Sequence, residues 1–226
     1  MPIYQLNESI IFPPVHHAEN GILAVGGDLS PDRLIEAYST GIFPWFSENE
    51  PIIWWAPDPR CVLYPQNIKV SKSMKQILRK DIFTISFDTD FNTVIKECAI
   101  QNRPGQDGTW ITDEMLAAYI KLHEMGLAHS VEVKKEGQLV GGLYGVSIGK
   151  AFFGESMFFK ESNASKVAFI HLVNFLQQNN FKLIDCQVET SHLISLGAEL
   201  IPRELFMQQL DEALKQPSKV GKWSTD

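Results

Sequence analysis

The chain has 226 residues, 44% hydrophobic and 21% charged, with 20 basic against 27 acidic residues and a formal charge of −7. That length buries one large core or two small ones, and the acidic balance argues against indiscriminate polyanion binding while allowing a local basic surface. No apolar run approaches the ~20 residues of a membrane span, and the first residues lack the basic start and apolar stretch of a secretory signal, so a cytoplasmic protein is expected.

The first sixty residues are rich in Pro, Gly and Trp and show little periodicity. Within them Ser30-Pro31, Leu34, Ile35, Tyr38 and Gly41 predict one short helix, with an N-cap, a first-turn proline and a terminating glycine. Phe12-Pro13-Pro14, Gly26-Gly27-Asp28, Phe43-Pro44-Trp45-Phe46 and Trp54-Trp55-Ala56-Pro57-Asp58-Pro59-Arg60 surround it. So many rings cannot all face water, which predicts a small N-terminal domain or a lid packed on the main body.

From Cys61 the pattern becomes regular. Residues 71–80 predict a helix, 83–87 a strand and 91–99 a helix. Thr112 caps a helix with Met115, Ala118, Tyr119 and Leu122 on its apolar face, ended by Gly126. Strands are expected over 129–133, 138–146 and 150–153, joined by turns at Glu136-Gly137 and Gly149-Lys150 into an antiparallel meander. A helix starting near Asn163 follows, with Phe169, Leu172, Val173 and Leu176 on one face. A strand over 182–188, helices near Leu193 and over 204–215, and a polar, loose tail after Pro217 complete the chain. Strands followed by a helix and another strand imply an α+β fold with a mixed sheet.

Cys61, Cys98 and Cys186 are odd in number and far apart, without Cys-x-x-Cys spacing, so neither a disulfide framework nor a zinc site is expected. His16 and His17, as neighbours on an extended chain, point opposite ways, and no metal is expected. Lys69, Lys72 and Lys75 recur every three residues and share a helix face if that stretch is helical; with Arg79 and Lys80 they form one candidate for a basic surface.

The densest chemistry is Asp185-Cys186-Gln187 at a strand end. Strand alternation places Asp185 and Gln187 on one face and turns Cys186, read as a small buried residue, to the other. A carboxylate beside a carboxamide receives and relays hydrogen bonds, which suits an amine guided onto a carbonyl.

The segments Phe43-Pro44-Trp45-Phe46, Trp54 to Arg60, Gly108-Thr109-Trp110-Ile111-Thr112, Leu139-Val140-Gly141-Gly142-Leu143-Tyr144-Gly145, Gly154-Glu155-Ser156-Met157-Phe158, Asn163-Ala164-Ser165-Lys166 and Leu183-Ile184-Asp185-Cys186-Gln187 occur in that order. Together they resemble the bacterial leucyl/phenylalanyl-tRNA–protein transferase family, over the chain from about Phe12 to Phe206. The resemblance implies a small N-terminal domain, residues 1–61, and a GNAT-like catalytic domain, residues 62–226, with a mixed, mostly antiparallel sheet flanked by helices. It implies transfer of Leu or Phe, less well Met, from aminoacyl-tRNA to proteins with N-terminal Lys or Arg, marking them for N-end rule degradation. The transfer needs no cofactor, and a monomer is expected.

By the same resemblance Asp185 holds Gln187, and the Gln187 carbonyl accepts a hydrogen bond from the incoming amine. Glu155 recognises the acceptor's positive end, as a carboxylate does for Lys or Arg. Leu143, Phe152, Met157, Phe169, Leu172 and Ile184 form the dry pocket for the donor side chain, with Leu143 standing where some relatives carry Met and Leu172 where some carry Phe. Trp45 and Trp110 stack on the terminal adenine across an interdomain cleft, and the basic stretch 69–80 meets the tRNA backbone. An N-acetyltransferase is the rival enzyme. The stretch Phe159-Lys160-Glu161-Ser162-Asn163-Ala164, where such enzymes cradle coenzyme A, holds no glycine. A non-catalytic RNA-binding module would explain the tryptophans but not Asp185, Gln187 and Glu155.

Overall fold

A computed structural model describes residues 3–101 and 111–224. Its first part is a four-stranded sheet of short pieces: β1 (Tyr4–Leu6), β2 (Ile22–Gly26), β3 (Phe43–Pro44) and β4 (Ile53–Trp55), in the order β1-β2-β4-β3. Strands of two to five residues are too short to display an alternation, which is why the sequence shows none here. Between β2 and β3 runs α1 (Pro31–Ser39), capped by Ser30, whose side chain accepts from the Arg33 N–H. That helix is as expected, and Gly41 follows it at φ +75°.

The second sheet contains β5 (Arg60–Leu63), β6 (Thr84–Phe87), β7 (Ala128–Lys135), β8 (Gln138–Ile148), β9 (Ala151–Phe159), β10 (Leu183–Gln187) and β11 (Glu199–Ile201), ordered β11-β5-β10-β9-β8-β7-β6. Its helices are α2 (Lys72–Arg79), α3 (Phe91–Ile100), α4 (Asp113–Glu124), α5 (Ala164–Gln178), α6 (Ser191–Ser195) and α7 (Arg203–Leu214). All neighbouring strands run antiparallel except β9 and β10, which are parallel because α5 carries the chain back between them. The expected α+β layout with a mixed, mostly antiparallel sheet is therefore present, and β7-β8-β9 is the expected meander. Glu136 and Gly137, at φ +51° and +80°, make the two-residue turn between β7 and β8.

The pleat sorts the core into two layers. Val62, Phe153, Leu183 and Ile201 face α1, α3, α4, α7 and the small sheet, while Cys61, Leu63, Phe152, Ile184 and Cys186 face α2 and α5. Gly141 in β8 lets α5 sit close, since a Cβ there would lie 2.6 Å from that of Ala164.

Two expectations change. Lys69 precedes α2, so the shared exposed face belongs to Lys72, Lys75 and Arg79. The tail after Pro217 is not loose. Trp223 is 1% exposed, its ring stacks on His129 with centroids 3.7 Å apart, and its backbone N–H donates to Asp88 Oδ2 at 2.7 Å. One large aromatic residue outweighs the polar residues around it, because its burial removes so much apolar surface from water. No helix among the described residues is long and apolar enough to cross a membrane.

Candidate active site

The pairing of β9 with β10 ends at Phe153↔Asp185, and beyond that point the two parallel strands separate. A gap opens in the sheet at their carboxyl ends, joining its two faces. It contains a cavity of about 490 Å³. Leu143, Phe152, Met157, Phe169, Leu172 and Ile184 all line it, together with Trp45, Glu155 and Gln187. Trp110 lies outside the described residues.

Two irregularities build the polar end. Against β8, Gly145 pairs with Gly154 and Tyr144 with Ser156, leaving Glu155 as an extra residue in β9. Against β5, Val62 pairs with Asp185 and Cys61 with Gln187, leaving Cys186 extra in β10. A bulge re-aims side chains that strict alternation would send elsewhere. Here it brings Cys186 and Gln187 both onto the cavity wall, which corrects the expected alternation. Gln187 takes φ +63°, and the Val188 N–H donates to the Cys186 carbonyl at 2.8 Å, closing a tight turn around it. A left-handed glutamine is a strained backbone held by its surroundings.

The Gln187 side chain donates through Nε2 to Glu155 Oε1 at 2.9 Å. Its own carbonyl oxygen has no partner among the described residues. The Tyr38 hydroxyl lies 2.7 Å from Glu155 Oε1 and the Tyr119 hydroxyl 3.0 Å from Oε2, and the two phenols also meet each other; their two protons serve two of these three contacts, and a protonated carboxyl supplies the third. Withdrawal from water pushes the Glu155 carboxyl up to about 7, against the opposing pull of hydrogen bonding to Tyr38, Tyr119 and Gln187, and the nearby Asp185 charge adds to the rise. Burial, then the Glu155 charge, holds both phenols well above the usual tyrosine range. Tyr38 comes from α1 and Tyr119 from α4, so residues far apart in sequence converge on one carboxylate.

Asp185 keeps the face that strand alternation gives it, with Leu183, and it is Gln187 that leaves that face at the bulge. Asp185 faces away from the cavity and is fully buried, with Oδ1 accepting from Arg60 Nε at 2.8 Å and Oδ2 from Arg60 Nη2 at 2.6 Å. The Arg60 guanidinium is itself held between the rings of Phe43, 4.8 Å away, and Phe206, 4.6 Å away. Asp185 reaches Gln187 through the backbone, accepting its N–H at 2.9 Å. It fixes the bulge and leaves the Gln187 side chain to Glu155.

Sequence reasoning misses Arg60, Tyr38 and Tyr119 as parts of this site. Arg60 ends the Trp54-to-Arg60 motif, yet spacing gives no sign of its partner 125 residues away. Tyr38 and Tyr119 read only as apolar helix positions, as their burial would suggest. His192 and Thr190 also line the cavity beside Leu193. Burial, and then the Lys166 charge, lowers the His192 imidazole below its usual value. Among the described residues no group of three or more His, Cys, Asp or Glu side chains is placed to hold a metal.

Residues 62–211 match the family described as leucyl/phenylalanyl-tRNA protein transferase, and residues 27–58 match that family's N-terminal domain. The leucyl/phenylalanyl-tRNA–protein transferase of Syntrophus aciditrophicus (strain SB) is 59% identical over 226 residues, covering all of this chain and 95% of its own. That of Nitrosospira multiformis is 55% identical over 224 residues, covering 98% of this chain and 96% of its own. Among solved structures, L-PGS from Bacillus licheniformis is 10% identical, covers 72% of this chain and 52% of its own, and has a TM-score of 0.42. A GCN5-related N-acetyltransferase from Kribbella flavida is 11% identical, covers 76% of this chain and 59% of its own, and has a TM-score of 0.37. Likenesses that slight carry no argument about the site. Family match and full-length identity agree: this chain belongs to the leucyl/phenylalanyl-tRNA protein transferase family, a family of aminoacyltransferases.

Proposed function

We propose that the cavity takes the aminoacyl end of Leu-tRNA or Phe-tRNA, and Met-tRNA less well, and passes the amino acid to a protein beginning with Lys or Arg. The observation that carries this is the Gln187 carboxamide. Its nitrogen is held by Glu155 at 2.9 Å, which leaves its oxygen to accept from an amine arriving beside an apolar cavity. The donor side chain sits against Leu143, Phe169 and Leu172, where a charged or polar side chain would lose its hydration unpaired.

The amine nitrogen attacks the ester carbonyl, the C–N bond forms, and the bond to the ribose oxygen breaks. The proton lost by nitrogen ends on the released terminal hydroxyl. An aminoacyl ester is already activated, so positioning supplies most of the rate. Asp185 acts as a positioning residue, through the Gln187 N–H and Arg60. Glu155, the carboxylate nearest the entering amine, attracts the positive side chain of the acceptor. Trp45, 38% exposed at the cavity rim, offers a face for the terminal adenine. Residues 1–61 supply Trp45 and Tyr38 to the catalytic part, residues 62–226. The enzyme works as a cytoplasmic monomer, and its products enter N-end rule degradation.

The test is a transfer assay with leucine labelled on its tRNA. Label passes to a protein beginning with Arg or Lys and not to one beginning with Glu, ribonuclease pretreatment abolishes it, and acetyl-CoA does not serve as donor. Transfer from acetyl-CoA, or tight tRNA binding with no transfer, would overturn the reading.

A further inference from the structure

Cys61 and Cys186 take no part in the transfer chemistry above, yet they meet at the cavity wall. They lie on β5 and β10, where the bulge sets Cys186 and Gln187 together opposite Cys61. Both cysteines belong to the apolar layer on the α5 side of the sheet, and each thiol lies near enough to shift the other's titration, while the Cys186 Sγ is 4.0 Å from the Ile184 carbonyl. Cys61 pairs in register with Gln187 and Cys186 is the extra residue beside that pair; facing Cα atoms lie ~4.5–5.5 Å apart and a disulfide spans ~4.4–6.8 Å. Cys61 is fully buried, whereas Cys186 is 8% exposed and lines the cavity, so a small molecule entering there meets Cys186 first.

We propose that Cys61 and Cys186 form a peroxide-responsive disulfide that disables the transfer site when it closes. The Cys186 sulfur attacks one peroxide oxygen, the O–O bond breaks, and a sulfenic acid and one water result. The Cys61 sulfur then attacks that sulfur, forming the S–S bond and releasing a second water. Two thiols lose two electrons and two hydrogens, and the peroxide takes them. The neighbouring Cys186 thiol lowers the Cys61 thiol and suits it to the closing step. The neighbouring Cys61 thiol, with burial, raises Cys186, which makes the first oxidation the slow one. Closing the pair to an S–S bond of ~2.05 Å pulls Cys186 toward β5 and carries Gln187 with it. A displacement of ~1 Å in a positioning group costs ~100-fold in rate.

The reduced full-length chain is treated with hydrogen peroxide, digested without reductant and mapped by mass spectrometry, while leucyl transfer is measured before treatment, after it and after dithiothreitol. The expected result is a linked Cys61–Cys186 peptide with Cys98 unlinked, and a loss of transfer of at least ~10-fold that dithiothreitol restores. Cys61→Ala removes both the link and the reversible loss, and Cys61→Ser does the same if the alanine variant folds poorly. No linked peptide in the native chain, a link that leaves transfer unchanged, or an equal reversible loss in the Cys61 variants overturns the proposal. The mapping does not depend on activity. A reduced chain that transfers nothing would therefore count against the transferase reading and leave the disulfide independently tested.

Discussion

The two ends of the cavity are built by different physics. The apolar end is a stretch of ordinary core: Leu143, Phe152, Phe169, Leu172 and Ile184 come from regular strands and one long helix, and any of them could equally have been filler. The polar end depends on two bulges, a left-handed glutamine, a buried ion pair and two tyrosines from separate helices. Apolar walls tolerate change in small steps, because each methylene removed weakens the packing by a modest increment. A hydrogen-bonded cluster out of water fails abruptly, because removing one member leaves another unsatisfied.

That contrast can be broken by substitution. The largest effect is expected at Asp185→Ala, which leaves the Arg60 charge buried without its partner. Urea unfolding should show a loss of ~3–5 kcal/mol, and transfer should collapse in the variant even where it remains folded. A variant with unchanged stability would mean that the ion pair does not organise the site. Leu172→Ala, on the other wall, should cost ~2–4 kcal/mol of stability and reduce leucine transfer more than phenylalanine transfer, since the larger ring still fills the enlarged space. Equal losses with both donors would remove Leu172 from the donor pocket.

A smaller effect with a distinctive pH signature is expected at Glu155→Gln. The carboxyl titrates near 4.5 when unfolded and at about 7 in the fold, so between those values the native state holds a proton that the unfolded chain has lost. Its contribution is fully present below the lower value and disappears as pH rises through the upper one. The stability of the native chain relative to the glutamine variant should therefore fall between about pH 5 and about pH 7 and stay level above that. A difference that does not change with pH would contradict the raised carboxyl. The smallest effect on folding belongs to the exposed Lys72, Lys75 and Arg79. Replacing all three by Ala should leave stability unchanged and make tRNA binding less salt-dependent, the logarithmic slope shrinking by ~0.9 for each phosphate no longer neutralised.

The same contrast explains what the sequence made legible. Helices α1, α2, α3, α4, α5 and α7 carry caps or sustained periodicity and lie within a few residues of where the pattern put them. The meander was written in its turn at Glu136-Gly137. The apolar pocket positions were named by family resemblance, and the cavity does gather them. What stayed hidden is nonlocal. A bulge is a mismatch between two strands, so neither strand's alternation announces it, and alternation puts Gln187 on the Asp185 face for that reason. Arg60, Tyr38 and Tyr119 are held by partners distant in sequence, and the Trp223 anchor is a single residue in a polar tail with no periodicity to flag it.

A structure with a non-hydrolysable aminoacyl-adenosine bound examines the central claim most directly. The leucyl side chain should lie among Leu143, Phe169 and Leu172, with the acyl carbon within reach of a nitrogen hydrogen-bonded to the Gln187 carboxamide oxygen. A ligand seated with its acyl group outside the gap between β9 and β10, and out of reach of the Gln187 carboxamide, would contradict the account.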